Sequence, residues 1–116
     1  MIYYNDNEPF CCEVIKARIA DGLLPQGTVD DRDIKEIPVD EIRRYRQIHL
    51  FCGIGGFPLA LEWLNFGTDR SILTGGFPCQ DLSVAGKGAG LEGKRSGLFW
   101  ETVAAIGVVR PDIFIM

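Results

Sequence analysis

Residues 47–57 read QIHLFCGIGGF, an apolar run that breaks into a cluster of glycines. The run is typical of a buried strand, and the glycines allow the backbone to turn tightly. The following residues, PLALEWLNFG at 58–67, have the apolar spacing of a helix, which Gly67 is predicted to end. This strand, turn and helix predict an α/β fold in which a helix N-terminus can attract an anionic group.

The glycine turn alone does not identify a ligand. Gly53, Gly55 and Gly56 would let the backbone approach one closely, but similar turns also join strands to helices without binding anything. The dinucleotide fingerprint needs a third glycine further on, and residues 57–59 offer none. Both alternatives therefore remain open from this stretch alone.

Strand and helix patterns alternate on both sides of this turn. They comprise a strand at 1–4, a helix at 9–20, a short strand at 28–29, a partly helical connector at 38–46, a strand at 71–76, a helix at 96–110 and a strand at 111–116. Such alternation predicts a mostly parallel five-stranded sheet in a single domain. The chain stops on the apolar run IFIM, so we expect it to be the truncated N-terminal part of a larger domain.

The composition of the 116 residues limits the compartment and the partners. No apolar run approaches the ~18 residues that a membrane span needs, and the N-terminus lacks the pattern of a signal peptide. These features predict a cytoplasmic protein that does not contact the membrane. The net charge of −4 argues against nonspecific coating of nucleic acid, although Lys87, Lys94 and Arg95 form a local basic group.

The four cysteines predict reduced thiols and no metal site. No CxxC spacing occurs, and His49 is the only histidine. We expect Cys11, Cys12 and Cys52 to be small buried side chains, which is the usual role of a lone cysteine.

Cys79 stands in a different context, GGFPCQDLS at 75–83. It follows a predicted strand end, where α/β sheets place their sites, and Pro78 restricts the approach of the chain. Nearby lysine and arginine side chains would favour the thiolate, so Cys79 is predicted to be a nucleophile. The glycines at 88–96, GAGLEGKRS, miss the phosphate-binding loop pattern, because Arg95 stands where a serine or threonine would hold magnesium.

Two blocks together, FCGIGGF at 51–57 and GGFPCQDLSVAGKGAGLEGKRSGLFWE at 75–101, resemble the DNA (cytosine-5)-methyltransferase family. The resemblance implies a Rossmann-like fold that binds S-adenosylmethionine at the glycine turn. It also implies that Cys79 attacks C6 of a cytosine flipped out of double-stranded DNA, which activates C5 for methylation. The implied supporting residues of the catalytic loop are Pro78, Gln80 and Ser83, and those that contact DNA phosphates are Lys87, Lys94 and Arg95.

The order of the segments differs from that of most family members, which place two cofactor segments between the glycine turn and Pro-Cys. Here, YYNDNEPFCCEVIKARI at 3–19 resembles the ribose segment, and VDDRDIKEI at 29–37 resembles the adenine segment. The implied cofactor residues are Asp6, Asp33, Ile34, Phe51, Gly53, Gly55 and Gly56, with Asp30 and Asp31 as alternatives to Asp33. His49 stands where the family more often has an aspartate.

This permuted order resembles that of phage and prophage members and predicts the strand order 2-1-3-4-5. Residues 1–46 would form the ribose and adenine segments and a connector. Residues 47–74 would form the glycine turn and its helix, and residues 75–116 the catalytic loop, a helix and the last strand. The target-recognition domain would be absent, so we expect the chain alone to be inactive and its last strand to promote self-association.

Two alternatives remain open at this point. A tRNA cytosine methyltransferase carries the same pair of motifs, and a remnant that only binds cofactor or partners would also retain them. The resemblance favours methylation of DNA, in restriction–modification or a related role.

Overall fold

The computed structural model describes residues 1–67, 69–76 and 97–116. The strands in this part are β1 (Ile2–Asn5), β2 (Thr28–Asp30), β3 (Gln47–Leu50), β4 (Ile72–Gly75) and β5 (Ile113–Ile115). The helices are α1 (Pro9–Ala20), α2 (Val39–Ile42), α3 (Gly56–Trp63) and α4 (Gly97–Val109), with a single 3-10 turn at Ile34–Glu36. The predicted alternation of strands and helices is therefore confirmed.

The strands form one parallel sheet in the order β2-β1-β3-β4-β5. Tyr4 of β1 pairs with His49 of β3, which pairs on its other side with Thr74 of β4. This order confirms the prediction that β3 lies between the first and fourth strands. It also puts the topological switch point of the sheet between β1 and β3. At this point the connections from neighbouring strands run in opposite directions along the sheet.

Helices cover both faces of the sheet, because successive residues of a strand point to opposite sides. On one face, Tyr3 and Ile48 join a core cluster with Ile42 of α2 and Ala105 of α4. On the other face, a cluster is built from Tyr4 of β1, Ile15 of α1 and Leu24, with Leu59 of α3 packed against it. Strand β1 thus contributes to both cores, with Tyr3 on one face and Tyr4 on the other.

The only histidine belongs to one of these buried layers. His49 has no exposed surface, and its Nδ1 lies 2.7 Å from Oγ1 of Thr74 while Nε2 lies 3.2 Å from Oε1 of Gln47. The ring of Tyr4 stacks on it with a centroid distance of 5.7 Å. Burial lowers the pKa of His49 to about 4, so the imidazole is neutral at pH 7.

The prediction that Gly67 ends the third helix is wrong. Helix α3 ends at Trp63, and Asn65 takes the left-handed conformation, with φ 52°, that usually falls to glycine. The N–H of Asn65 donates to the carbonyl of Glu62 at 3.1 Å, and that of Phe66 to the carbonyl of Leu61 at 3.0 Å. Asparagine tolerates this conformation better than most residues, so the helix ends at Trp63, four residues before the glycine.

Among the residues that the structure describes, no helix has the length and apolar character needed to cross a membrane.

Candidate functional site

A cavity of about 580 Å³ opens at the carboxyl end of the sheet, beside the topological switch point between β1 and β3. Parallel sheets bind ligands at such switch points, and the volume is within the usual range for a small-molecule site. The residues that line it are Asn5, Asp6, Asn7, Glu8, Asp33, Ile34, Phe51, Gly53, Gly76 and Leu98.

Asp6 ties the end of β1 to the glycine turn after β3. Its Oδ2 accepts a hydrogen bond of 2.8 Å from the backbone N–H of Gly53, and its Oδ1 accepts one of 2.9 Å from the N–H of Glu8. Its own N–H donates to the carbonyl of Asp30, 3.3 Å away at the end of β2. Because a carboxylate has about four acceptor positions, these bonds leave capacity for a ligand hydroxyl.

The glycine turn has an unusual backbone. Phe51, Gly53 and Gly55 have φ of 52°, 55° and 99°, and the N–H of Gly55 donates to the carbonyl of Cys52 at 2.9 Å. A left-handed phenylalanine costs roughly 1–2 kcal/mol, a kind of strain that is concentrated at functional sites. Arg18 of α1 holds the outside of the turn, donating from Nη1 to the carbonyl of Ile54 at 2.7 Å.

The glycines of this turn have different surroundings. Gly53 lines the cavity and a Cβ there would meet nothing within 4 Å, whereas Gly55 and Gly56 do not line the cavity. A Cβ on Gly55 would lie 2.8 Å from Cδ1 of Ile15 and 3.1 Å from Cδ1 of Leu24. The described contacts of Gly55 are thus with α1, so cofactor binding by Gly55 and Gly56 stays a prediction.

The structure separates the three candidate carboxylates of the adenine segment. Asp33 and Ile34 line the cavity, and Oδ1 of Asp33 accepts from the N–H of Lys35 at 2.9 Å. Asp31 is exposed. Asp30 lies in a second, smaller cavity, where it accepts hydrogen bonds from Arg32 and from the hydroxyl of Tyr3. Of the three, only Asp33 lines the cavity beside the glycine turn.

The environment of Asp30 also indicates a structural role. Burial by itself would raise its pKa, but the hydrogen bonds from Arg32 and Tyr3 outweigh burial, so the pKa of Asp30 is lowered. Arg32 bridges to Glu41 as well, with both ion pairs at 2.8 Å. This network fastens the edge strand β2 to α2.

The described cysteines are held as neutral thiols. Burial, followed by the negative charge of Asp6, raises the pKa of Cys52 to about 12. Burial also raises the pKa of Cys11 and of Cys12, whose Sγ lies 3.1 Å from the carbonyl oxygen of Asp6. A neutral thiol is a poor nucleophile. The expectation that all three are buried holds for Cys12 but not for Cys11 and Cys52, which are only partly buried.

The predicted catalytic and phosphate-contacting residues, Pro78, Cys79, Gln80, Ser83, Lys87, Lys94 and Arg95, lie outside the described residues. The residues on either side of that segment, Gly76 and Leu98, both line the cavity. Gly76 donates from its N–H to the carbonyl of Leu50 at 3.2 Å, and a Cβ there would lie 3.1 Å from the carbonyl oxygen of Phe51. The chain therefore passes close beside the glycine turn where it enters the segment that carries Cys79.

The sequence did not single out several residues of this cavity, namely Asn5, Asn7, Glu8, Gly76 and Leu98. A signal existed for Asn5, because it is a polar residue at the end of an apolar strand, where sheet sites are built. His49, which stands in place of the usual aspartate, does not line the cavity. The described residues contain no group of three His, Cys, Asp or Glu side chains that could hold a metal ion.

Residues 65–116 match the family described as C-5 cytosine-specific DNA methylase. Similar curated proteins include the Type II methyltransferase M.HhaI from Haemophilus parahaemolyticus, which is 31% identical over 70% of this chain and 36% of its own length. M.HaeII from Haemophilus aegyptius is 31% identical over 65% of this chain and 35% of its own length. M.SsoII from Shigella sonnei is 29% identical over 82% of this chain and 35% of its own length.

The chain thus spans about a third of the length of these three relatives. No solved structure matches it significantly.

Proposed function

We propose that the chain, of which residues 65–116 match the family described as C-5 cytosine-specific DNA methylase, contributes the cofactor pocket and the nucleophile of a DNA (cytosine-5)-methyltransferase. The observation that carries the proposal is the hydrogen bond between Asp6 and Gly53 at the edge of the cavity. It joins the segment that resembles a ribose site to the glycine turn, although 47 residues separate them in sequence.

The cavity suits S-adenosylmethionine in size, position and chemistry. Asp6 has acceptor capacity for ribose hydroxyls, and Asp33 and Ile34 lie on the same cavity for the adenine. Phe51 and Gly53 provide an apolar wall and a close backbone approach. The bound cofactor supplies an electrophilic methyl group.

Cys79 is the proposed nucleophile. Gly76 lines the cavity and Cys79 follows three residues later, a length of chain that spans at most about 11 Å. Addition of the thiolate to C6 of cytosine would put an electron pair on C5, which then attacks the methyl group. Removal of the C5 proton and expulsion of the thiolate would complete the reaction and restore the enzyme.

The proposed substrate is double-stranded DNA, with the target cytosine rotated out of the duplex to reach Cys79. Pro78, Gln80 and Ser83 would support the catalytic loop, and Lys87, Lys94 and Arg95 would contact phosphates. DNA is favoured over tRNA because the matching family is described as a cytosine-specific DNA methylase. Bacterial relatives favour the cytoplasm of a bacterium, or of a phage-infected one, as the location, with a role in restriction–modification.

We further propose that the motif order is permuted, as in phage-type members. The parallel order β2-β1-β3-β4-β5 supports this, because it brings Asp6 and Asp33 to the glycine turn although both precede it in the chain. The alignment with M.HhaI supports it too. It is 116 residues long but takes in only 70% of this chain, as expected if the relative has a longer segment between the two motifs.

Because the relatives are about three times as long, we propose that the 116 residues alone are inactive as a methyltransferase. Loss of one group that stabilises the charge developing in the transition state typically lowers the rate by ~10²–10³-fold. A competing proposal is a protein that binds the cofactor but catalyses nothing.

The test is transfer of radioactivity from labelled S-adenosylmethionine to duplex DNA and, in parallel, to tRNA. We expect no labelling of DNA by the 116 residues alone, and labelling by a protein extended to the length of the relatives that is absent in Cys79→Ser and unchanged in Cys52→Ser. Calorimetry with S-adenosylhomocysteine, the demethylated product, reports binding independently of transfer. Binding without any Cys79-dependent labelling by the extended protein would favour the binding-only protein, and labelling of tRNA alone would reassign the substrate.

A further inference from the structure

Asn5, the last residue of β1, is buried at the edge of the cavity with only 1% of its surface exposed. Its amide nitrogen Nδ2 donates two hydrogen bonds, to the carbonyl of Asp30 at 3.0 Å and to the carbonyl of Arg32 at 2.9 Å. Because only the nitrogen of the amide can donate, these two acceptors determine its orientation. The amide oxygen Oδ1 therefore points away from the turn at residues 30–32.

Oδ1 of Asn5 accepts no hydrogen bond from any residue of the described ranges, although the backbone carbonyl of Asn5 accepts one of 3.0 Å from the N–H of Cys52. In the same ranges, no fully enclosed side-chain oxygen or nitrogen lacks a partner, so Oδ1 must retain an opening. The cavity is the opening that Asn5 lines. A nearly buried acceptor that receives no hydrogen bond from the described residues thus lies at the edge of the cavity.

We propose that Oδ1 of Asn5 accepts a hydrogen bond from the nucleoside part of the ligand. Asn5 is then a specificity-determining residue of this cavity. The inference rests on the proposed cofactor site and deepens it. Asn5 lies between Asp6 and the segment that leads to Asp33, the residues proposed for the ribose and the adenine. The donors that a nucleoside offers there are its two ribose hydroxyls and the 6-amino group.

Asn5 has a second, positioning role in the same site. By holding the carbonyls of Asp30 and Arg32, Nδ2 shapes the turn immediately before Asp33. One buried amide thus shapes the adenine side of the cavity with its nitrogen and contacts the ligand with its oxygen. Ligands that lack the donor would leave Oδ1 buried and unpaired, and sites built in this way discriminate strongly against such analogues.

The experiment measures the coupling between Asn5 and individual ligand donors. Calorimetry gives the affinity of the protein for S-adenosylhomocysteine and for its 2′-deoxy, 3′-deoxy and 6-deaminated analogues. We expect one analogue to bind about 3- to 10-fold more weakly to the wild type through loss of the bond to Oδ1. In Asn5→Leu the same analogue and the parent compound should bind equally, although both bind more weakly than to the wild type.

Gln26 offers a control, because it is an exposed amide side chain that does not line the cavity. The variant Gln26→Leu should keep the full discrimination of the wild type. Since the coupling compares two ligands within one variant, a general disturbance of the site by Asn5→Leu cancels.

Each outcome has a distinct meaning. Equal affinity of the wild type for all four ligands overturns the inference without any variant, so the test does not depend on the folding of Asn5→Leu. Discrimination that persists in Asn5→Leu against every analogue that the wild type rejects overturns it also, and leaves the proposed cofactor site intact. Failure of the wild type to bind S-adenosylhomocysteine overturns the cofactor site, and the role of Asn5 with it.

Discussion

The carboxylate of Asp6 accepts a hydrogen bond of 2.8 Å from the backbone N–H of Gly53, which lies 47 residues further along the chain. Its second oxygen accepts from the N–H of Glu8 at 2.9 Å, at the start of α1. One side chain therefore joins β1, α1 and the turn after β3. The shape of the glycine turn depends on a residue from another strand of the sheet.

We expect Asp6→Ala to lower both stability and cofactor affinity. The substitution leaves two backbone N–H groups without their charged acceptor, and hydrogen bonds to charged groups contribute ~1.5–3 kcal/mol. The free energy of unfolding, measured in urea, should fall by about 2 kcal/mol, and S-adenosylhomocysteine should bind at least ~10-fold more weakly. Unchanged affinity in a folded Asp6→Ala protein would place the ribose elsewhere.

Alanine substitutions of the three aspartates near β2 should differ in their effects on ligand affinity and on stability. Asp33→Ala should weaken binding of S-adenosylhomocysteine by about 10-fold, since Asp33 lines the cavity. Asp31→Ala should change neither binding nor stability, because its side chain is exposed. Asp30→Ala should lower the free energy of unfolding instead, because Arg32 and Tyr3 lose their acceptor. A larger loss of affinity in Asp31→Ala than in Asp33→Ala would reverse the assignment.

The buried histidine should make the fold sensitive to moderate acid. The pKa of His49 is about 4 in the folded protein, against 6.5 for an ordinary histidine, so below pH 6.5 the unfolded chain takes up a proton that the folded one does not. Stability should therefore fall as the pH drops from 6.5 to about 4, by about 3 kcal/mol in total.

Urea denaturation between pH 7.5 and 4.5 measures this loss, with His49→Gln as the comparison. Glutamine can still hydrogen-bond to Thr74 and Gln47 but does not titrate, so the variant should lose less stability over the same range. Parallel curves for the two proteins would show that His49 is not the group responsible.

Substitution of two glycines by alanine should change the stability of the protein in opposite directions. A Cβ on Gly27 would lie 2.5 Å from the carbonyl oxygen of Ile2 and 2.8 Å from Cε2 of Tyr4, and the carbonyl is fixed in the sheet. Gly27→Ala should therefore destabilise the protein by ~1–3 kcal/mol. A Cβ on Gly107 of α4 would meet no described atom within 4 Å, so Gly107→Ala should stabilise it by ~0.5–1 kcal/mol. Thermal unfolding of both variants measures the difference.

The edge strand β5 should promote association between copies of the chain. Within the described residues it pairs only with β4, and Phe114 and Ile115 are 53% and 40% exposed. Sedimentation at increasing concentration should show reversible association that Ile115→Lys weakens. Trp63→Lys, on the exposed end of α3, is the control and should not affect it. A wild type that stays monomeric at high concentration would contradict the prediction.

Local sequence determined the strands and most of the helices of this protein. Apolar runs at β1, β3 and β4 and the glycines after β3 are signals that neighbouring residues carry, so they can be recognised without a structure. The same is true of the end of α1, where an Asp-Gly pair stops an apolar helix. The resemblance of the short blocks around the glycine turn and Pro-Cys then sufficed to predict the parallel order β2-β1-β3-β4-β5.

Only the tertiary structure decided which polar groups meet at the site. The bond between Asp6 and Gly53 and the bonds from Asn5 to Asp30 and Arg32 join segments more than twenty residues apart. The proximity of Gly55 to Ile15 of α1 is likewise a contact between distant segments. Contacts of this kind depend on where the strands end in space, and periodicity along the chain carries no information about that.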